Sequence, residues 1–367
     1  MSIVKKGANE KMLEKMRNKR LSYAQYMELA LYDEQYGYYM RRKEKIGREG
    51  DFITTSNVGH IIGRVFADVF VRLIETHHVP PLICEIGGGT GRFAYTVLEQ
   101  WKRQSPKTFP QGQYIMIEAS PYHREKQAET LAPFIDYVRI ISSFAELSDS
   151  FSGIVFSNEL FDAFPVHVIE KREGHIYECF IEVENDQLVE KCVPLENEQI
   201  AQYIVERNIQ LVDGQRFEIP LAMKKFIFQL DQVIDKAIIF TVDYGYTDEE
   251  WKHPARKRGS LRGYYRHQLI DNALRYPGEM DLTTHIQWDA LRFYGEQAGW
   301  TFTHLWRQDE FLLQAGILNH LINHHDPNPF SEQQRHNRAI RSLVMSDIGR
   351  AFRVMVQQKN MNIPIFT

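Results

Sequence analysis

Residues 81–91, PLICEIGGGTG, run from an apolar stretch directly into four glycines within five positions. So short an apolar run reads as a buried strand. Glycines at this density let the backbone adopt left-handed dihedrals and come close to a bound group. The following residues, RFAYTVLEQWKRQ, carry apolar side chains at helical spacing, so the glycines turn a strand into a helix. The first N–H groups of such a helix lack intrahelical partners and face a ligand. The same alternation continues, with a strand over 114–119, a helix over 121–131, and strands at 137–141, 153–158 and 237–245. Short strands separated by helices predict an α/β chain with a doubly wound parallel sheet.

Other segments interrupt that rhythm. Helices are expected over 10–31 and 61–78, with an ordered aromatic loop between them. Residues 175–194 alternate around "END", the pattern of a β-hairpin, and a helical stretch follows. Residues 250–285 are basic and loop-like. WTFTHLW (300–306) predicts a strand, and AFRVMVQQK (351–359) a final strand at an edge or in a hairpin. These signals divide the chain into an N-terminal helical cap, 1–80, and a main domain, 81–367, with insertions at about 165–235 and 250–285.

Composition narrows the function classes. The chain has 367 residues and a net charge of −4, which opposes bulk nucleic-acid binding despite the basic run HPARKRGSLRGYYRHQ. No apolar run reaches about 18 residues, so no membrane insertion is expected. The basic N-terminus has no apolar core segment, which predicts a cytoplasmic location. Cys84, Cys179 and Cys192 are too few and too scattered for a disulfide framework or a zinc site, which favours a reducing compartment. His320 and His324 have helical spacing but no third ligand, so no metal is expected.

Three ligand classes use glycine turns of this kind. A phosphate-binding Walker loop needs Gly-Lys-Ser/Thr, which is absent. The dinucleotide spacing fails, because its third glycine position is Arg92. What remains, Glu85-x-Gly87-x-Gly89-x-Gly91, resembles the adenosylmethionine loop of class I methyltransferases. That resemblance implies contacts from the three glycines to the methionine part. An acidic residue after the next strand, here Glu118, would hold the ribose diol as a charged acceptor.

Further motifs narrow the match. GDFITTS (50–56), SNELFDAFPVH (157–167), VDYGY (242–246), GSLRGYYRHQ (259–268), PGEMDLTTHIQW (277–288) and MSDIGRAFRVM (345–355) occur in order. Together with the glycine loop they resemble the MidA family, whose mitochondrial members are complex I assembly factors acting as protein arginine methyltransferases. The resemblance implies a class I methyltransferase fold, S-adenosylmethionine as cofactor, S-adenosylhomocysteine as product, and a protein substrate. It also implies that SNELFDAFP lines the reaction chamber.

The acceptor's chemistry selects candidate residues. Freeing the lone pair of a guanidinium at neutral pH costs roughly 7 kcal/mol, so its methylation calls for carboxylates that orient the group and take its proton. Glu159 and Asp162 are three residues apart and share a face if the segment turns helically. Asn158 adds a side-chain acceptor and a cofactor contact, and Asp243, Asp281 and His285 are further candidates. Methylation of a small molecule or of another side chain, an assembly role built on cofactor binding, and nicotinamide chemistry remain alternatives. A monomer and a homodimer both remain open.

Overall fold

The computed structural model describes residues 8–43, 56–147, 150–323, 328, 330–346 and 351–366. Most of GDFITTS, part of MSDIGRAFRVM, and His324 lie outside the described residues. The chain divides into two compact units. A sheet unit comprises Thr54–Leu160, Phe228–Gly245 and Arg292–Thr367, and an insertion unit comprises Met1–Ile53, Phe161–Ile227 and Tyr246–Leu291. The expected boundary near residue 80 therefore gives way to another division. The helix before it belongs with the sheet, and the N-terminal helices belong with the two insertions.

The sheet unit contains β1 (Leu82–Ile86), β2 (Gln113–Ile117), β3 (Val138–Ile141), β4 (Phe151–Asn158), β5 (Ile234–Tyr246), β6 (Thr301–Arg307) and β7 (Phe352–Lys359). Their order is β6-β7-β5-β4-β1-β2-β3. The first five strands pair in parallel, while β7 is antiparallel to both β5 and β6. This is the sheet of class I methyltransferases, as the sequence predicts. Of the two places expected for the last strand, an edge or a hairpin pairing, it does not take the edge. It lies between two strands instead of at an edge, and Val354, Met355, Val356, Gln357 and Gln358 are all buried. Residues on both its faces are covered, so its alternating pattern does not mark a solvent side.

Three helices carry the alternation: α1 (Ser56–His77), α2 (Arg92–Gln104) and α3 (Pro121–Thr130). The buried stripe of α1 includes Ile61, Val65, Phe66, Val69, Phe70 and Leu73. Phe66 is its centre, with ring centroids 5.0 Å from Phe156 of β4, 5.0 Å from Phe311 and 6.2 Å from Phe240 of β5. Phe93 of α2 stacks on Phe156 at 4.3 Å. Offset and edge contacts of this kind add to the burial of the rings themselves.

In the insertion unit, the hairpin expected at 175–194 forms from strands His175–Glu184 and Gln187–Pro194. Its turn residues Asn185 and Asp186 both have positive φ, 49° and 60°, as a type I′ turn requires. The strand His167–Arg172 pairs with the first arm and with Arg216–Ile219. The basic stretch read as loop instead holds a three-stranded sheet of Arg262–Tyr265, Gln268–Ile270 and Asp281–Thr283. Its hairpin turns at Arg266 and His267, with φ of 49° and 63°. Neither residue is a usual turn former, so the sequence carries no turn signal there.

The cysteine reading is corrected as well. Cys179 and Cys192 are 13 residues apart but directly opposed across the hairpin, and they form a disulfide. Turn register, not sequence spacing, brings them together. With Glu170 and Glu190 they form a cluster of metal-ligand type, but both thiols are spent in the disulfide and Arg216 clamps Glu190 at 2.7 and 2.6 Å. Among the described residues, no helix is long and apolar enough to cross a membrane.

The Phe66 cluster yields a stability prediction. Phe66→Ala should cost about 3–5 kcal/mol, and Phe66→Leu a smaller amount, measured as the shift in the urea unfolding midpoint of the purified chain.

Candidate functional site

The parallel registers bring four strand ends level. Ile86 pairs with both Ile117 and Ser157, Ile117 with Ile141, and Asn158 with Val242. Each connecting loop continues the ladder for one bond before diverging. Gly87 N donates to Ile117 O at 2.9 Å, Glu118 N to Ile141 O at 3.0 Å, and Glu159 N to Val242 O at 2.9 Å. The glycine loop, Glu118, Asn158 and Glu159 therefore share one edge of the sheet. The order of strands reverses there between β1 and β4, where open α/β sheets bind ligands.

The glycine loop is tight on one side and open on the other. Gly87, Gly89 and Gly91 have φ of 73°, 52° and 80°, a region that costs other residues strain. A Cβ on Gly88 would lie 2.4 Å from Met116 Cε and 2.8 Å from the Glu85 carboxyl, whereas one on Gly89 would meet nothing within 4 Å. Open space beside a left-handed glycine is a backbone cradle that a side chain would fill. Helix α2 starts at Gly91 with no side-chain cap, so the first-turn N–H groups of this 13-residue helix have no capping side chain.

The carboxylates around the loop differ in environment. Glu85 is 3 % exposed and accepts a 2.8 Å hydrogen bond from Tyr114 Oη. Burial pushes its pKa up to about 7; the Tyr114 bond opposes this and the charge of Glu118 adds to it. Glu118 accepts from Ser120 N at 2.8 Å, with His123 Nδ1 at 3.8 Å from the same oxygen. Glu159 has a left-handed backbone, φ 49°, a strain of about 1–3 kcal/mol for a non-glycine residue. Asn158 Nδ2 donates to Glu159 Oε1 at 3.1 Å. Glu159 keeps solvent access, yet the protein surrounding it raises its carboxyl above the usual range, with the Asn158 amide opposing.

Asp162 and His285 lie in the insertion unit. The segment from Glu159 to Asp162 does not turn helically, so the shared helical face expected of those two carboxylates does not form. Instead, the Asp162 carbonyl accepts from Thr284 N at 2.8 Å and Thr284 Oγ1 at 3.3 Å, next to His285. Asp281 accepts from Tyr39 Oη at 2.8 Å. His285 stacks on Tyr246 at 4.6 Å, and Arg262 Nη2 lies 3.0 Å from its Nδ1. Arginine only donates, so Nδ1 is the acceptor and the ring hydrogen sits on Nε2. Burial, then the charges of Arg262 and Arg256, depress its pKa to about 3 and leave the ring neutral.

Two residues escape the sequence reading. Tyr114 braces Glu85, and Gln127 on α3 donates from Nε2 to Gly89 O at 2.9 Å. Neither carries a signal in the sequence: the burial that marks Gln127, which has no exposed surface, is set by the fold.

Strand order, switch point and glycine cradle define a class I S-adenosylmethionine-dependent methyltransferase. Residues 61–305 match the family model described as "Putative S-adenosyl-L-methionine-dependent methyltransferase", and the chain belongs to that family. Its curated relatives include the mitochondrial protein arginine methyltransferase NDUFAF7 homolog of Drosophila melanogaster, 25% identical over 75% of this chain and 67% of that protein. The mitochondrial NDUFAF7 of Mus musculus is 25% identical over 74% of this chain and 65% of the relative. The chain thus matches about two thirds of the length of these proteins. Among solved structures, a COG1565 superfamily member from Burkholderia thailandensis, bound to S-adenosyl-homocysteine, superposes with a TM-score of 0.87 at 24% identity. The superposition covers 97% of this chain and 94% of that one. The relatives' mitochondrial designations overturn the cytoplasmic expectation, which rested only on missing targeting signals.

Two tests follow from this geometry. Gly89→Val should abolish S-adenosylhomocysteine binding in calorimetry, because a branched side chain is strained at this φ and enters the cradle. The folded pKa of Glu85, about 7, lies above its ordinary 4.5, so the folded state holds the proton more tightly. Its contribution is intact below about pH 4.5 and is lost as pH rises to about 7, a change on the order of 2–3 kcal/mol. Glu85→Gln should remove that component, seen as a smaller difference in urea stability between about pH 5 and about pH 7.5 than in the wild type.

Proposed function

We propose that this methyltransferase transfers the methyl group to an arginine side chain of a protein. The observation that carries the reading is Glu159, a strained, accessible carboxylate at the end of β4 on the same edge as the glycine loop. The names of the curated relatives support the same acceptor.

The site's residues fit the cofactor. The open side of Gly89 and the uncapped start of α2 suit the amino-acid end, with Gly87 and Gly91 shaping the turn. Glu118 supplies an acceptor for the ribose hydroxyls, and Glu85 supports the loop from beneath through Tyr114. Asn158 stands between the two functions, next to the cofactor edge and bonded to Glu159. Bound adenosylmethionine supplies an electrophilic methyl on a positively charged sulfur and leaves as the neutral thioether.

The work left to the protein is orientation and removal of a proton. Glu159 holds the guanidinium through charge-assisted hydrogen bonds and accepts the proton shed as the nitrogen is methylated. Its raised pKa brings it nearer the working pH of a general base. Asn158 keeps the carboxylate in one rotamer. Asp162, the second candidate carboxylate, is a buried side chain of the insertion unit and shares no helical face with Glu159. His285, neutral and with its hydrogen on Nε2, is a donor and too weak a base to serve as the general base.

The test follows tritiated methyl from adenosylmethionine into a lysate of cells lacking the protein. Label should enter a discrete protein and be recovered as methylarginine after hydrolysis. Glu159→Gln should lower that incorporation by about 10²-fold or more while S-adenosylhomocysteine binding stays within a few-fold. Label confined to small molecules would overturn the arginine reading.

A further inference from the structure

We infer that Gln127 is a positioning residue for the cofactor, and that its grip on the Gly89 carbonyl sets how well the glycine loop binds. The side chain reaches from α3, in a different helix–strand unit from the loop it holds. Gln127 has no exposed surface, and its Cα and Cγ pack 3.4 Å from where a Gly91 side chain would begin. Nε2 donates to Gly89 O at 2.9 Å, while Oε1 is buried with no hydrogen-bond partner among the described residues. A buried acceptor without a partner destabilises a fold, and methionine would fill nearly the same space without that cost. On packing grounds alone, glutamine is therefore the poorer residue at this position.

The grip offsets this through the loop's softness. The loop's own backbone bonds, Gly87 N to Ile117 O and Gly91 N to Gly88 O, hold the neighbouring peptide planes but not the one between left-handed Gly89 and Thr90. In a planar trans peptide the carbonyl and the next N–H point in opposite directions. Tethering Gly89 O to α3 therefore turns the Thr90 N–H away from Gln127. The loop meets the cofactor with one donor already oriented, which lowers the ordering cost of binding.

The experiment compares Gln127→Met and Gln127→Glu with wild type by S-adenosylhomocysteine calorimetry and thermal unfolding. Gln127→Met should weaken binding about 5- to 10-fold, the worth of one hydrogen bond, while leaving the melting temperature equal or higher. A merely structural residue would lose stability and affinity together. Gln127→Glu carries the sharper readout. Ionised, it repels the Gly89 carbonyl; protonated, it can donate as glutamine does. Its affinity should therefore recover as pH falls. The ionisable side chains of Glu85, Glu118 and His123 lie near the same loop, so the Gln127→Met series over the same pH range is the reference. Binding by Gln127→Met within twofold of wild type would overturn the inference. So would a Gln127→Glu affinity that follows the methionine variant at every pH. If Gln127→Glu does not fold, the methionine comparison still decides.

Discussion

The pairing of β1 with β4 is the constraint on which the sheet unit depends. Glu85 lies opposite Phe156 in that ladder, and Ile86 opposite Ser157. The winding reverses between these strands, so their connecting loops part to either side and leave a crevice at their ends. Phe156 also carries the rings of Phe66 and Phe93, so the same strand anchors the core beneath the crevice. Core and site are therefore set by one register. A slip of one residue in β4 would turn Phe156 out of its cluster and displace Asn158 and Glu159 from the glycine loop.

Around that crevice, the protein tolerates groups that a stability-optimised fold would discard. Glu85 is buried and held near neutrality, Glu159 has a backbone that suits glycine, and Gln127 keeps an acceptor with no partner among the described residues. They belong to three different segments of the sheet unit, β1, the loop after β4, and α3, from which Gln127 reaches the glycine loop. Left-handed residues and unpartnered buried polar atoms occur elsewhere in the chain too, but at this edge they adjoin the glycine loop, where strain can serve binding and chemistry.

The insertion unit follows a different logic. Three separate stretches of chain, including both N-terminal helices, build it from antiparallel hairpins. The Asn185–Asp186 hairpin was legible because its turn uses residues that tolerate positive φ. The one at Arg266–His267 was not, since arginine and histidine give no such signal. Likewise, the Cys179–Cys192 disulfide depends on hairpin register, which residue spacing does not reveal.

Local rules were enough to establish the alternation of strands and helices, the glycine turn and the acidic residue after the second strand. Buried parallel strands and left-handed glycines carry strong short-range signals, so the fold class could be read from residues near one another in the chain, and the cofactor class from the resemblance of the loop motif. Tertiary structure decided what depends on distant partners. Among these were the interior place of β7, the neutrality of His285 between burial and two arginines, the buried support of Tyr114 for Glu85, and the hold of Gln127 on Gly89. Each depends on desolvation or on hydrogen bonds between segments far apart in sequence, and periodicity and spacing carry no information about either.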